Sequence, residues 1–207
     1  MIYSSDDYIT KYCDTIAYII GRSYSEKYSF DVIQKRLSYS SMINQLERSN
    51  PTLLAFDSME KNYFSIFPEL TNNYVFSPYD VFGWMGQIYI HLFLAKQVTF
   101  EALFYLLPIS RLMSMYPIYH EMSVSQIDDY LNEQYKYTML DIIMKDRKIS
   151  NNQLSKLTNI SISTINALRY NVRDISKLEA QKLLTIAQSL DVKIETLLPS
   201  INLKIID

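Results

Sequence analysis

The chain has one cysteine, Cys13, in 207 residues, which excludes an internal disulfide and a cysteine-rich zinc site. Glycine and proline are scarce too, at three and six, with few dense turn clusters. So little turn punctuation argues against a many-stranded sheet and for long helices. The two histidines, His91 and His120, are thin material for metal or acid-base chemistry, and a structural role is expected for both. No Walker loop, dinucleotide fingerprint or serine elbow appears. The longest apolar run, Val81 to Val98, is broken by Gln87, His91 and Lys96, so it reads as a buried helix rather than a membrane span. No basic and apolar leader with a small-residue cleavage site opens the chain.

What is present points to an all-α globular protein. Hydrophobic residues make up 48% and charged residues 20%, outside the range of disordered chains. Charge is unevenly divided: residues 1–136 carry 10 Lys and Arg against 15 Asp and Glu, a net −5, whereas residues 137–207 carry 10 against 7, a net +3. A basic carboxyl-terminal part on an acidic body is the pattern of a nucleic-acid module joined to a second function. Of the 18 tyrosines, all but Tyr170 lie before residue 140. They suit either half-buried helical positions or a partner surface.

Ile9, Tyr12, Cys13, Ile16, Ile19 and Ile20 recur at helical spacing, and Gly21 is expected to end that helix. Cys13, on its apolar stripe, is expected to be a buried and inert thiol. Two short helices are expected around Phe30 to Leu37 and Met42 to Leu46, and Asn50-Pro51 reads as a cap followed by proline. Residues 68–77 read as a connector and a sub-boundary. Ser77-Pro78 with Asp80 is expected to open the central helix, about Pro78 to Gln97, Thr99 the next, and a third is expected from Ile109 to Met115 before Tyr116-Pro117. Ser123 with Gln126 has the spacing of a capping box. This gives a helical, Tyr-rich domain over 1–135, a second domain over 136–199 and a tail over 200–207, whose Ile201, Leu203, Ile205 and Ile206 alternate.

Ser150 to Arg173 is the most informative stretch. Ser150 and Gln153 form a second capping-box pattern, Thr158-Asn159-Ile160 interrupts the apolar spacing, and Ser161 is a natural N-cap. Asn tolerates the left-handed conformation a sharp turn between helices needs. Leu154, Leu157, Ile160, Ile165 and Leu168 are expected in a common core, with Ile162, Ser163, Asn166 and Arg169 outside it. That is helix-turn-helix spacing.

The run LSKLTNISISTINAL resembles the Cro and lambda-repressor-like helix-turn-helix family, on Leu154, Ser155, Thr158, Asn159, Ile160, Ser161, Thr164 and Ile165. Asn159 stands where the family usually has Gly. The resemblance extends over Leu183, Leu184, Ile186, Ala187, Leu190, Val192, Ile194, Leu197 and Leu198, and covers about residues 137–199. It implies a five-helix DNA-binding domain. On this resemblance Asn151, Thr164, Asn171 and Arg173 are the candidate phosphate contacts. Ser161, Ile162, Ser163, Asn166 and Ala167 are the candidate base contacts, with Asn166 the natural adenine reader and Ile162 suited to a thymine methyl. Lys148, Lys156, Arg169 and Lys177 read as electrostatic support or solvated surface.

The expectation is a cytoplasmic, repressor-like transcriptional regulator of bacterial or phage origin, binding double-stranded DNA as a homodimer, with no enzyme activity, cofactor, metal or membrane association. The alternative is an antitoxin-like protein whose amino-terminal domain neutralises a partner protein, while the helix-turn-helix autoregulates.

Overall fold

The computed structural model describes residues 5–48, 58–68, 74–96, 98–134 and 138–198. Among them are thirteen α-helices and no strand, an all-α fold as expected. The chain separates into two compact units, Met1–Ile127 and Asp128–Asp207. Asn50-Pro51 and the tail from Ile201 lie outside the described residues.

The amino-terminal unit is built on two long helices, α1 (Ser5–Ser25) and α5 (Val81–Lys96), which pack along one another. Between them come α2 (Phe30–Ser38), α3 (Ser41–Glu47) and α4 (Met59–Ile66); α6 (Phe100–Leu106) and α7 (Ile109–Tyr119) follow, and α8 (Val124–Gln134) contains the division between the units. The expectation of long helices holds only for α1 and α5; most of the others are 7 to 11 residues long.

Side-chain caps explain most of the starts. Ser29, Ser40, Ser58 and Thr99 each accept a hydrogen bond from the backbone amide three residues on. Of the expected Ser77-Pro78 and Asp80 start, Asp80 is the residue that caps α5, its Oδ1 accepting from the amides of Phe82 and Gly83 at 2.9 and 3.0 Å. At Ser123, the amide donates to Gln126 Oε1 at 2.9 Å, the returning half of the capping box. Gln34 of α2 does the same for α7 from 75 residues away, accepting from the Ile109 amide at 2.7 Å.

Two helix ends depart from the sequence reading. Gly21 does not stop α1, which continues to Ser25. A Cβ at Gly21 would stand 2.2 Å from Tyr74 Oη, so this glycine admits a neighbouring ring rather than breaking a helix. Helix α7 likewise continues through Pro117 to Tyr119. Pro117 lies in the last turn, where its missing N–H removes one intrahelical bond, and Tyr116 beside it meets the Trp84 ring edge-on at 5.6 Å.

The core of this unit is aromatic. Tyr63, Phe67, Tyr89 and Phe100 are fully buried. Tyr18 meets Tyr63, Tyr74 and Phe76 edge-on at 5.6 to 6.1 Å, and the Arg22 guanidinium lies 4.5 Å from the Tyr63 ring centroid. The α1/α5 crossing is close because Gly86 has no side chain: a Cβ there would sit 2.2 Å from the Cys13 carbonyl oxygen. Cys13 is buried, and burial, with Asp14 adding to it, pushes its thiol up to about 12. At neutral pH it is a thiol, not a nucleophilic thiolate.

The carboxyl-terminal unit continues with α9 (Met139–Asp146), α10 (Asn151–Thr158), α11 (Ile162–Arg169), a 3₁₀ turn (Ile175–Lys177), α12 (Ala180–Ser189) and α13 (Ile194–Leu197). Leu154, Ile160, Ile165, Leu168, Leu183, Ile186, Ala187, Leu190 and Leu197 are buried, as the spacing requires. Leu157 is not: it is 59% exposed, and Leu198 is also exposed. Leu157 falls three residues after the buried Leu154, but Thr158, at four, occupies the core-facing place and returns its hydroxyl to the Leu154 carbonyl at 2.7 Å.

With so little glycine, the chain turns corners on other residues. Lys27, Lys148, Asn171 and Asp191 follow the ends of α1, α9, α11 and α12 with φ between 49° and 69°. Each sits in a Schellman pattern; at Lys148, for instance, the Ile149 amide donates to the Met144 carbonyl at 2.9 Å and the Lys148 amide to Lys145 at 3.1 Å.

Candidate nucleic-acid interface

Helices α10 and α11 form a two-helix corner that local chemistry determines closely. The Ser150 amide donates to Gln153 Oε1 at 2.8 Å, and the Gln153 amide donates to Ser150 Oγ at 3.3 Å, completing the capping box. Asn159 ends α10 in the left-handed region, φ 55° and ψ 28°. Ser155 Oγ then donates across the turn to the Ile160 carbonyl at 2.6 Å, and Ser161 caps α11 through the Thr164 amide at 3.2 Å. Ile160, Ile165 and Leu168 face inward, which leaves the first turn of α11 on the outside.

Residues 139–201 match the family model of the Cro/C1-type HTH DNA-binding domain. This part of the chain is a Cro/C1-type helix-turn-helix domain. Comparisons with curated proteins and with solved structures gave no match. The family assignment therefore belongs to the helix-turn-helix alone and does not extend to the amino-terminal unit.

The candidate residues fall into three groups, with Asn171 and Ala167 standing apart from them. Ser161, Ile162 and Ser163 are exposed at the start of α11, with Ser161 Oγ 3.0 Å from Ser163 Oγ and 2.9 Å from Thr164 Oγ1. Thr164 and Arg173 line a cavity of about 520 Å³ together with Ser161, Lys177, Glu179 and Lys182. Arg173, Lys177 and Lys182 make this recess cationic; Glu179 partly offsets them through its ion pair with Lys182 at 2.9 Å. Asn171 is exposed at the left-handed corner after α11, and Ala167 is half-buried, its carbonyl accepting from the amides of Val172 and Arg173 at 2.9 and 3.0 Å. Asp174, next to Arg173, caps the 3₁₀ turn, and donation from the Ser176 hydroxyl and amide holds its carboxyl below the usual range.

Asn151 and Asn166 form the third group, and sequence reasoning left them unconnected. Asn151 Nδ2 donates to Asn166 Oδ1, and Arg169 Nη1 donates to Asn151 Oδ1. Arg169 is in turn bound to Asp141 of α9, with Nε 2.9 Å from Oδ1. The Asp141 side chain is 1% exposed and that of Arg169 13%, so Arg169 belongs to an interior ion pair rather than to solvated surface. Lys145 completes the neutralisation, its Nζ 2.7 Å from Asp141 Oδ2. Thr138 ties the same two helices, its hydroxyl donating to the Arg169 carbonyl at 2.9 Å. The signal for Asp141 was present: a lone carboxylate inside the apolar run Met139-Leu140-Asp141-Ile142-Ile143 needs a cationic partner if the helix is buried.

Among the described residues no three His, Cys, Asp or Glu are placed to hold a metal, and no helix is long and apolar enough to cross a membrane. His120 and Glu121 lie 3.8 Å apart on the surface, and His91 is exposed with Nδ1 2.8 Å from the Gln87 carbonyl.

Proposed function

We propose that the protein is a repressor-like transcriptional regulator whose carboxyl-terminal unit inserts the first turn of α11 into the major groove of double-stranded DNA. The observation that carries this reading is the joint placement of an outward α11 start, bearing Ser161, Ile162 and Ser163, beside the cationic recess of Arg173, Lys177 and Lys182. Phosphate contacts fix register and supply affinity, and base edges supply choice. In this reading Arg173, Asn171, Thr164 and Asn151 hold the backbone, while Ser161, Ile162, Ser163, Asn166 and Ala167 face the bases.

One such module buries limited area and touches few bases, so the protein acts as a homodimer on two half-sites about one helical turn apart. A second reading is favoured by Val75 and Tyr79 of the amino-terminal unit, which are 90% and 92% exposed in one short segment. There the unit engages a partner protein, in the manner of an antitoxin, and DNA binding is feedback.

The test is titration of the full chain with DNA from its own upstream region and with an unrelated duplex of equal length, each across a salt series. A reader prefers the first duplex, and Arg173→Ala weakens both while lowering the salt slope by about one. Equal affinity for the two duplexes overturns the reading. A stoichiometric protein partner copurifying from the native host, with the same DNA preference, moves the assignment to the antitoxin-like form.

A further inference from the structure

We propose that Ile162 senses the C5-methyl group of a pyrimidine whichever base carries it, so that methylation of a cytosine at its place in the binding site strengthens binding as thymine does. This rests on the DNA-reader assignment above and adds to it a response to cytosine methylation.

The outward turn of α11, Ser161, Ile162, Ser163 and Thr164, carries neither a charge nor a carboxamide. Ile162 is 43% exposed, outside the core that Ile160, Ile165 and Leu168 fill. Among the groups a base pair shows in the major groove, the C5 methyl of thymine is the apolar one. An aliphatic side chain gains by covering that methyl from water and has no hydrogen bond to exchange with the group at C4. Thymine and 5-methylcytosine hold the methyl at the same ring position, while uracil and unmodified cytosine lack it. The contact is therefore open to both methylated bases and closed to both others.

The neighbouring hydroxyls do not restore the distinction at C4, where thymine presents a keto oxygen and cytosine an amino group. Ser161 Oγ accepts from the Thr164 amide at 3.2 Å and stands 3.0 Å from Ser163 Oγ and 2.9 Å from Thr164 Oγ1. Two proton arrangements satisfy this cluster. Where Ser163 donates to Ser161, and Ser161 to Thr164, the lone pairs of Ser163 remain to accept from cytosine N4. Where Thr164 donates to Ser161, and Ser161 to Ser163, the Ser163 proton remains to donate to thymine O4. Ser163 thus suits either pyrimidine, and the methyl is left to Ile162. Asn166, one turn along the same face, favours the base it meets equally with and without a methyl nearby, so it does not alter the gain the methyl brings.

The experiment is fluorescence anisotropy of the full chain with its preferred duplex from its own upstream region, in which thymines are replaced by uracil one symmetric pair at a time. Expected is one thymine in each half-site whose replacement weakens binding about fourfold per half-site, the worth of one buried methyl group. At that place cytosine is then compared with 5-methylcytosine, each paired with guanine, and the methylated duplex binds tighter by the same factor. In Ile162→Ala, whose fold is checked by thermal unfolding, both differences vanish; a merely structural role would weaken all the duplexes alike and leave both differences in place. No thymine whose methyl is felt, equal binding of the cytosine and 5-methylcytosine duplexes, or differences that persist in Ile162→Ala overturns the methyl sensing while leaving the reader intact. Equal affinity for the upstream duplex and an unrelated one overturns the reader itself, and the methyl sensing with it.

Discussion

The two units are stabilised by different means. The amino-terminal unit is held by large buried rings around the α1/α5 crossing, with polar tips folded in: Tyr89 donates its hydroxyl to the Leu107 carbonyl at 2.7 Å inside the core. The carboxyl-terminal unit has no buried aromatic residue among those described; beside serine and threonine caps, which both units have, it relies on aliphatic side chains and on the interior Asp141–Arg169 pair that ties α9 to α11. Aromatic burial is non-directional and tolerates many arrangements. A charge pair between helices permits few, which suits a surface that must present particular atoms in a particular register.

Alkali separates the units most widely. Burial pushes the hydroxyls of Tyr63 and Tyr74 up to about 12 and that of Tyr89 well above the ordinary 10. The folded chain thus holds protons the unfolded chain gives up. The stability this brings is complete below about pH 10 and is lost as pH rises toward 12. The amino-terminal unit should unfold first in that window. Hydroxyl-radical footprinting by mass spectrometry, comparing peptides around Tyr89 and Leu154, reads this directly; simultaneous loss of protection would mean the tyrosines do not set the difference.

A core truncation should give the next largest gap. Phe100 is fully buried, between Phe93 at 5.2 Å and Phe104 at 6.1 Å, so Phe100→Ala is expected to cost the amino-terminal unit about 4 kcal/mol. Native-state hydrogen exchange should show faster opening of α5 and α6 with α10 and α11 unchanged. Equal acceleration in both units would show that they unfold as one.

Gly86→Ala probes the same unit by overfilling it. The added Cβ meets backbone of α1 at Cys13 and the Ala17 side chain, neither of which can rotate away, and a loss of about 2 kcal/mol is expected. Chemical denaturation followed by Trp84 fluorescence measures it, and a neutral result would mean that α1 and α5 can separate freely.

Legibility in the sequence followed the range of the interactions. Features closed within three or four residues were readable: both capping boxes, Thr99, the split at Ser38 to Ser41, and the Asn159 turn. Those set by distant partners were not. Gly21 read as a helix stop because Tyr74, the ring it admits, is 53 residues on; Pro117 read as a boundary because nothing local announces Trp84. The helix-turn-helix was recognisable because its pattern is short and dense. The Asp141–Arg169–Asn151–Asn166 chain beneath it joins positions 15 to 28 residues apart and appears only once three helices are in place. The candidate base-facing residues could thus be named from sequence, while the orientation of their polar atoms could not.

The smallest effect runs the other way and concerns the scarcity of glycine. Lys148 carries a side chain in a left-handed backbone, φ 55°, at the C-terminal corner of α9, where glycine escapes the steric cost. Lys148→Gly should therefore stabilise the carboxyl-terminal unit by about 1 kcal/mol, the relief of that clash exceeding the extra chain entropy glycine brings. Lys27→Gly at the end of α1, φ 69°, should do the same for the other unit. Differential scanning calorimetry of both variants is the measurement. Destabilisation in each would show that the side chains at these corners contribute more than their backbone conformation costs, and that the sparing use of glycine is a stabilising choice rather than a tolerated strain.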